Sequence, residues 1–236
     1  VWDVEILVHG DDFWGEGEPE SMNLVGGLLG ANFMIREVCR IGHGAGSGGD
    51  FIGRSVRNYE DKGFEYEAGQ KYLPKPCKVL GFDEKTKPAP TPITKDTAKS
   101  LPNALDKLTM EEAGIFRKRA GLILYFCLDR VEMNFTVKVI MQGMKNPTVL
   151  DMARLKRGCR FLLKYPRMSW KYPWQNLPGW IVGTADGDWA GCEVTRKSTS
   201  SIHEEIGLHL ISSISSTQQV IALSSGESEW YALLLL

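Results

Sequence analysis

The sequence predicts a mixed α+β chain with a split architecture, and three observations carry that prediction. An apolar run over Val4–Val8 and an alternation of apolar and polar residues over Phe51–Arg57 both read as strands. Apolar residues recur at helical spacing in the middle of the chain, at Met152, Leu155, Cys159 and Leu162. The last 56 residues, 181–236, read as strand, strand, strand, helix.

Taken in order, Val4–Val8 is a strand closed by His9-Gly10-Asp11-Asp12, a tight turn, with a second strand starting at Phe13. A Gly/Ser-rich loop lies between Gly42 and Gly49, and Phe51–Arg57 follows as a strand. Asp61-Lys62-Gly63 turns the chain into Phe64–Glu67 and makes a hairpin. From Lys85 to Pro102 the chain is rich in Pro, Thr and Lys without periodicity and reads as a linker. Two helices follow, one over about Met110–Leu128 and one from Thr148, where Thr148-x-x-Asp151 after Pro147 has the form of a capping box. A segment rich in Trp, Tyr and Pro, Tyr165–Trp180, leads to a strand at Ile181–Ala185 with Asp186 near its end. Ser198–Ile206 and Leu208–Ile214 are strands around Gly207, and Ser224-x-x-Glu227 opens a helix running through Leu236.

Composition excludes more than it assigns. The chain has 236 residues, 43% of them hydrophobic, and a formal charge of -1, which suits one large domain or two modest ones. No apolar run approaches the roughly 20 residues that a membrane helix needs. There is no signal-peptide pattern, so an intracellular protein, cytoplasmic or nuclear, is expected. The cysteines Cys39, Cys77, Cys127, Cys159 and Cys192 are scattered without CxxC pairs or histidines at zinc spacing, which points to neither a disulfide framework nor a zinc site. Both ends of the sequence read as cut edges. Charge is uneven: Asp151–Lys171 holds seven basic residues against one acid. Within it Arg154, Arg157, Arg160 and Lys164 are candidates for contacts with nucleic-acid phosphates, or equally a solvated helix face.

Two carboxylate clusters could carry chemistry. Asp11 and Asp12 sit in a turn between apolar strands, where adjacent acids can direct oxygen ligands at divalent ions, although Asp-Asp in a turn is more often solvated turn chemistry. Asp186 on a strand and Glu229 on a helix that can cross it form the second, with Asp188 and Glu227 nearby. A nuclease needs several acids around its metals because the phosphodiester is itself anionic.

The residues around that second cluster resemble a known family. Thr184-Ala185-Asp186-Gly187-Asp188-Trp189-Ala190-Gly191, then Thr195-Arg196-Lys197-Ser198-Thr199-Ser200, then Ala222-Leu223-Ser224-Ser225-Gly226-Glu227-Ser228-Glu229-Trp230-Tyr231-Ala232-Leu233 are similar to the ribonuclease H blocks of copia-type retrotransposon polyproteins. The family's pattern runs close to DADWAG, R-[RK]-S-T-S-G, a Gln-containing stretch and ALSSxEAEYxAL. Upstream, Val8–Phe13 stands where these elements have a YVDD-type polymerase motif, and Arg117–Arg130 resembles a later family segment.

The resemblance implies an α/β arrangement of reverse-transcriptase palm and thumb (1–95), a helical connection (96–180) and the first part of a ribonuclease H-like sheet (181–236). It implies Asp11, Asp12, Asp186 and Glu229 as metal-binding catalytic acids of two-metal phosphoryl transfer with Mg²⁺. The implied partners are an RNA–DNA hybrid or template-primer and the rest of the polyprotein, and no membrane. Each acid set is incomplete within the sequence, so the chain alone is expected to be inactive. Departures at Gly69-Gln70, Arg130-Val131-Glu132 and Ser201 fit the alternative, a degenerate, non-catalytic remnant that at most binds nucleic acid.

Overall fold

A computed structural model describes residues 3–42, 48–83, 85–94, 101–192 and 195–236. Among these, six α-helices accompany three small antiparallel sheets, so the chain is mixed α+β. The Gly/Ser-rich loop at 43–47 and residues 95–100 of the expected linker lie outside the described residues.

Strands β1 (Val4–His9) and β2 (Asp12–Gly17) pair in register from Val4↔Gly17 to His9↔Asp12, leaving the two-residue turn Gly10-Asp11. Gly10 takes φ +63° at the first central position, a conformation that glycine adopts without a Cβ penalty. Helix α1 (Pro19–Asn32) follows, with proline in its first turn and no side-chain cap.

The second sheet has the order β3 (Gly48–Phe51), β4 (Arg54–Asn58), β5 (Gly63–Ala68), β6 (Ser169–Pro173). The single strand expected over Phe51–Arg57 is divided. Ile52 and Gly53 both take positive φ, 46° and 73°, and form a tight turn between β3 and β4. Strand β6 arrives from about a hundred residues downstream and pairs with β5, Gly63↔Pro173 to Glu67↔Ser169.

Helices α2 (Pro74–Val79), α3 (Met110–Phe126), α4 (Asn134–Gln142) and α5 (Val149–Lys164) hold the main core. Capping boxes start α3, through Thr109 and Glu112, and α5, through Thr148 and Asp151, and so satisfy amide donors that a helix's first turn leaves free. Phe116, Ile123, Met133, Ile140, Leu155 and Leu162 are fully buried. Each such side chain contributes roughly 1.5–3 kcal/mol by leaving water. Cys77, Cys127 and Cys159, far apart in sequence, converge in this same core.

Two polar groups tie the core to its surroundings. Arg130 is 1% exposed, and its guanidinium pairs with Glu132 at 2.6 Å and donates to the carbonyls of Pro166 (3.0 Å) and Tyr165 (2.7 Å). Asp129 accepts from Arg54 Nε (3.0 Å) and the Tyr66 hydroxyl (2.8 Å), while Trp170 Nε1 donates to its carbonyl, so one residue joins β4, β5 and β6 to the end of α3. Its carboxylate and the burial of Tyr66 push the Tyr66 hydroxyl well above its ordinary pKa, burial being the larger cause.

The expected linker is partly a docked strap. Ala89 is completely buried, its N–H donates to the Arg160 carbonyl (3.3 Å), and Arg160 Nε returns a bond to the Lys87 carbonyl (2.7 Å). Proline and threonine remove helical and strand periodicity here without preventing packing.

The third sheet is β7 (Val182–Asp188), β8 (Thr199–Ile206) and β9 (His209–Thr217), in that order, with Gly207 at φ 57° in the β8–β9 turn. Helix α6 (Ser225–Leu233) packs on β7 and β8. It begins at the Ser224 cap as expected and ends three residues before Leu236. Asn134, Lys138 and Gln142, one face of α4, reach β8 and β9 through bonds to Ser213, Thr199 and Thr217.

Candidate metal and nucleic-acid site

The polymerase-type pair lies at the tip of the first hairpin. Asp11 is the second turn residue and Asp12 opens β2 opposite His9; both are exposed. Neither carboxylate has a hydrogen-bond or ion-pair partner among the described residues. The flanks of the pair are apolar and uncovered: Ile6, Leu7, Val8 and Phe13 are 39–56% exposed.

The second pair is built by the close approach of α6 to β7. Glu229 Oε2 accepts the Gly187 N–H at 3.0 Å, and that nitrogen is the peptide nitrogen joining Asp186 to Gly187. The helix acid is thereby held one peptide away from the strand acid. Glycine permits the approach, because a Cβ at position 187 would stand 2.5 Å from the Ser228 carbonyl oxygen. The neighbouring acids are engaged elsewhere. Asp188 accepts the Thr199 N–H, and Glu227 accepts from Leu223 N–H (2.6 Å) and the Tyr231 hydroxyl (3.0 Å). That last bond raises the Tyr231 pKa.

Asp186 is exposed and has no partner among the described residues, and Glu229 keeps one oxygen uncommitted. Two hard oxygen donors on neighbouring elements suit a divalent ion as part of its shell, while Mg²⁺ takes an octahedral set of oxygens. Among the described residues no group of three or more His, Cys, Asp or Glu side chains is arranged to hold a metal. Asp186 and Glu229 therefore fit as a partial site. Asp11 and Asp12 offer two acids with no third beside them among the described residues.

The four basic candidates all have partners within the chain. Arg154 faces Asp151 at 3.6 Å, Arg157 donates to the Thr91 hydroxyl at 2.8 Å, Arg160 holds Lys87, and Lys164 lies over the Tyr165 ring at 5.1 Å. Arg157 and Arg160 fasten the strap of residues 87–91 to α5. Lys156 and Lys164 remain exposed on this helix.

Sequence reasoning missed the residues that seat α6. Gln218 and Ser228 are both buried, and the Gln218 side-chain amide donates to Ser200 Oγ and to the Ser228 carbonyl. The only sequence signal for this is a glutamine between β9 and the final helix. An open recess of about 440 Å³ lies apart from the acids, between β6 and the β8–β9 turn, lined by Tyr172, Gln175, Ile206 and His209. No helix among the described residues is long and apolar enough to cross a membrane.

The chain is 31% identical over 231 residues to the uncharacterized mitochondrial protein AtMg00810 of Arabidopsis thaliana, a match spanning 98% of this chain and 90% of that protein. It is also 31% identical over 114 residues to the secreted RxLR effector protein 161 of Plasmopara viticola, covering 48% of this chain and 80% of the effector. No family model matches, and no solved structure matches significantly.

Proposed function

The chain belongs to the family of the Arabidopsis mitochondrial protein AtMg00810, and on that premise we propose that it is a fragment of a copia-type retrotransposon Pol polyprotein. In this reading residues 1–95 derive from the end of a reverse transcriptase, 96–180 from its helical connection and 181–236 from the start of a ribonuclease H domain. The observation that carries it is the bond from Gly187 N–H to Glu229 at 3.0 Å, which brings together the two acids of the ribonuclease H blocks from separate elements.

Asp186 and Glu229 would hold Mg²⁺, and the ion would supply polarisation of water and charge neutralisation at an RNA phosphodiester. Asp11 and Asp12 are the corresponding polymerase acids. The partners are an RNA–DNA hybrid or template-primer, met by exposed lysines such as Lys156 and Lys164, and the remainder of a polyprotein.

A specific observation favours the second reading, a non-catalytic remnant: among the described residues neither acid pair has a third ligand. A labelled RNA–DNA hybrid with Mg²⁺ separates the two. Binding that weakens with salt, together with cleavage lost in Asp186→Asn and Glu229→Gln, supports a catalytic fragment. Salt-sensitive binding without cleavage, or no binding at all, supports the remnant.

A further inference from the structure

We infer that Gln218 is a positioning residue for the Asp186–Glu229 pair, acting with Ser228 as a polar clamp that seats α6 on β7 and β8; the ion-binding role of that pair rests on the function proposed above. Gln218 directly follows β9 and is 5% exposed. Its backbone N–H donates to the Ser198 carbonyl at 2.9 Å, which fixes it beside β8. The side-chain nitrogen then donates to Ser200 Oγ on β8 at 3.1 Å and to the Ser228 carbonyl on α6 at 2.8 Å.

Ser228 carries the clamp to β7. Its hydroxyl shares one hydrogen between the Ser225 carbonyl of its own helix, at 2.8 Å, and the Gly187 carbonyl, at 3.1 Å, and the next side chain, Glu229, accepts the Gly187 N–H. Consecutive residues of α6 thus grip both polar atoms of one backbone unit, the unit that follows Asp186. Ser200 and Ser228 are completely buried. A bond among such groups is strong because water does not compete for it, and its loss leaves acceptors unsatisfied.

The chemistry specifies glutamine. Two acceptors, a hydroxyl oxygen and a carbonyl, face one side-chain nitrogen, and among neutral side chains only an amide offers two hydrogens on one nitrogen, whereas a charged donor would be costly in so buried a place. The other end of the amide, Gln218 Oε1, is buried with no partner. An apolar side chain of the same shape would avoid that cost, so packing alone does not account for an amide here. The copia-type pattern has alanine where Ser228 stands, so the hydroxyl half of the clamp is a feature of this sequence.

The test uses nuclear magnetic resonance of the whole chain. The Gly187 amide proton, bonded to a carboxylate, is expected downfield and slow to exchange in the native chain, and Glu229→Gln shifts it. Gln218→Met is expected to speed its exchange by at least about tenfold, while amides of α5 keep their rates. Mn²⁺ broadening of the amides at 185–188 is expected to need about 10–100-fold more ion in Gln218→Met, the usual consequence of losing a group that orients a ligand.

An unchanged Gly187 amide in Gln218→Met overturns the clamp. If that variant loses the dispersed signals of β8 altogether, Ser228→Ala decides, since it deletes one hydroxyl: faster Gly187 exchange supports the clamp and an unchanged rate overturns it. If Mn²⁺ leaves amides 185–188 of the native chain unaffected, the ion-binding reading of the pair fails, and the Gly187 exchange rates still decide on the clamp.

Discussion

The helical core and the first hairpin are opposite solutions to the same problem. In the core, Phe116 and Leu155 are wholly buried between helices that are capped at their starts. In the hairpin, Leu7 and Val8 are 55% and 56% exposed, and the following helix α1 leaves Leu24 and Leu28 exposed as well. The hairpin has good local chemistry, with a complete register and a glycine where its turn needs one. Among the described residues its cover is slight, Met22 of α1 beside Gly15 and Phe51 beside Trp14 with ring centroids 5.3 Å apart, and a pair of strands with so little cover is marginal in water. Local sequence preference therefore shapes both regions, but burial stabilises only one.

The largest effect that would break this contrast is expected from Phe116→Ala, which should cost about 3–5 kcal/mol by leaving a cavity in the core. Chemical denaturation measures it. A cost below about 1 kcal/mol would show that this core is loosely packed.

The sheet of β7–β9 is intermediate, because it is built on one close approach. Gly187→Ala should cost about 1–3 kcal/mol by overpacking against Ser228. The loss should appear as early melting of α6 and β7 while the protection of α3 and α5 persists, as read by hydrogen exchange.

Alkali should attack the core selectively. Burial pushes the Cys127 thiol up to about 12, from an ordinary value of 9.0, and raises the Tyr66 hydroxyl from 10.0. Both groups are neutral in the folded chain and ionise more readily in the unfolded one, so their contribution is complete below pH 9 and declines as pH rises above it. For Cys127 alone the slope is about 1.4 kcal/mol per pH unit between 9 and 12. Denaturation midpoints measured over this range should fall, and less steeply in Cys127→Ala.

The smallest effect sharpens the contrast from the other side. Leu7→Ser in the exposed hairpin should change global stability by no more than about 0.5 kcal/mol. A cost near that of Phe116→Ala would mean that the hairpin shares the core's cooperative unit.

Much of this fold is legible in the sequence where the signal is local. Thr148-x-x-Asp151 marks the start of α5, Gly10 and Gly207 mark hairpin turns, and Ser224 caps α6. What fails to show is what packing decides. Helix α4 contains Thr136, Val137, Val139 and Ile140, a β-branched run that becomes helical because those side chains fill the core. Helix α1 hides behind Gly26, Gly27 and Gly30. Strand β6 finds its partner about a hundred residues away, and Ala89 is buried within a segment whose composition reads as solvent-exposed.

The candidate site divides in the same way. Asp186 and Glu229 stand out in sequence because they lie in recognisable blocks. Their clamp does not, because Gln218, Ser200 and Ser228 meet only after β8, β9 and α6 have packed. The intramolecular partners of Arg157 and Arg160, Thr91 and Lys87, lie about seventy residues upstream and are equally invisible in a basic run.

The most direct test of the central claim is a map of Mn²⁺-induced line broadening over the amides of the whole chain. Selective loss of signal at residues 185–188 and around Glu229, abolished in Asp186→Asn, is the predicted result. Broadening confined to the Asp11–Asp12 hairpin, or spread evenly over exposed acids, would contradict it.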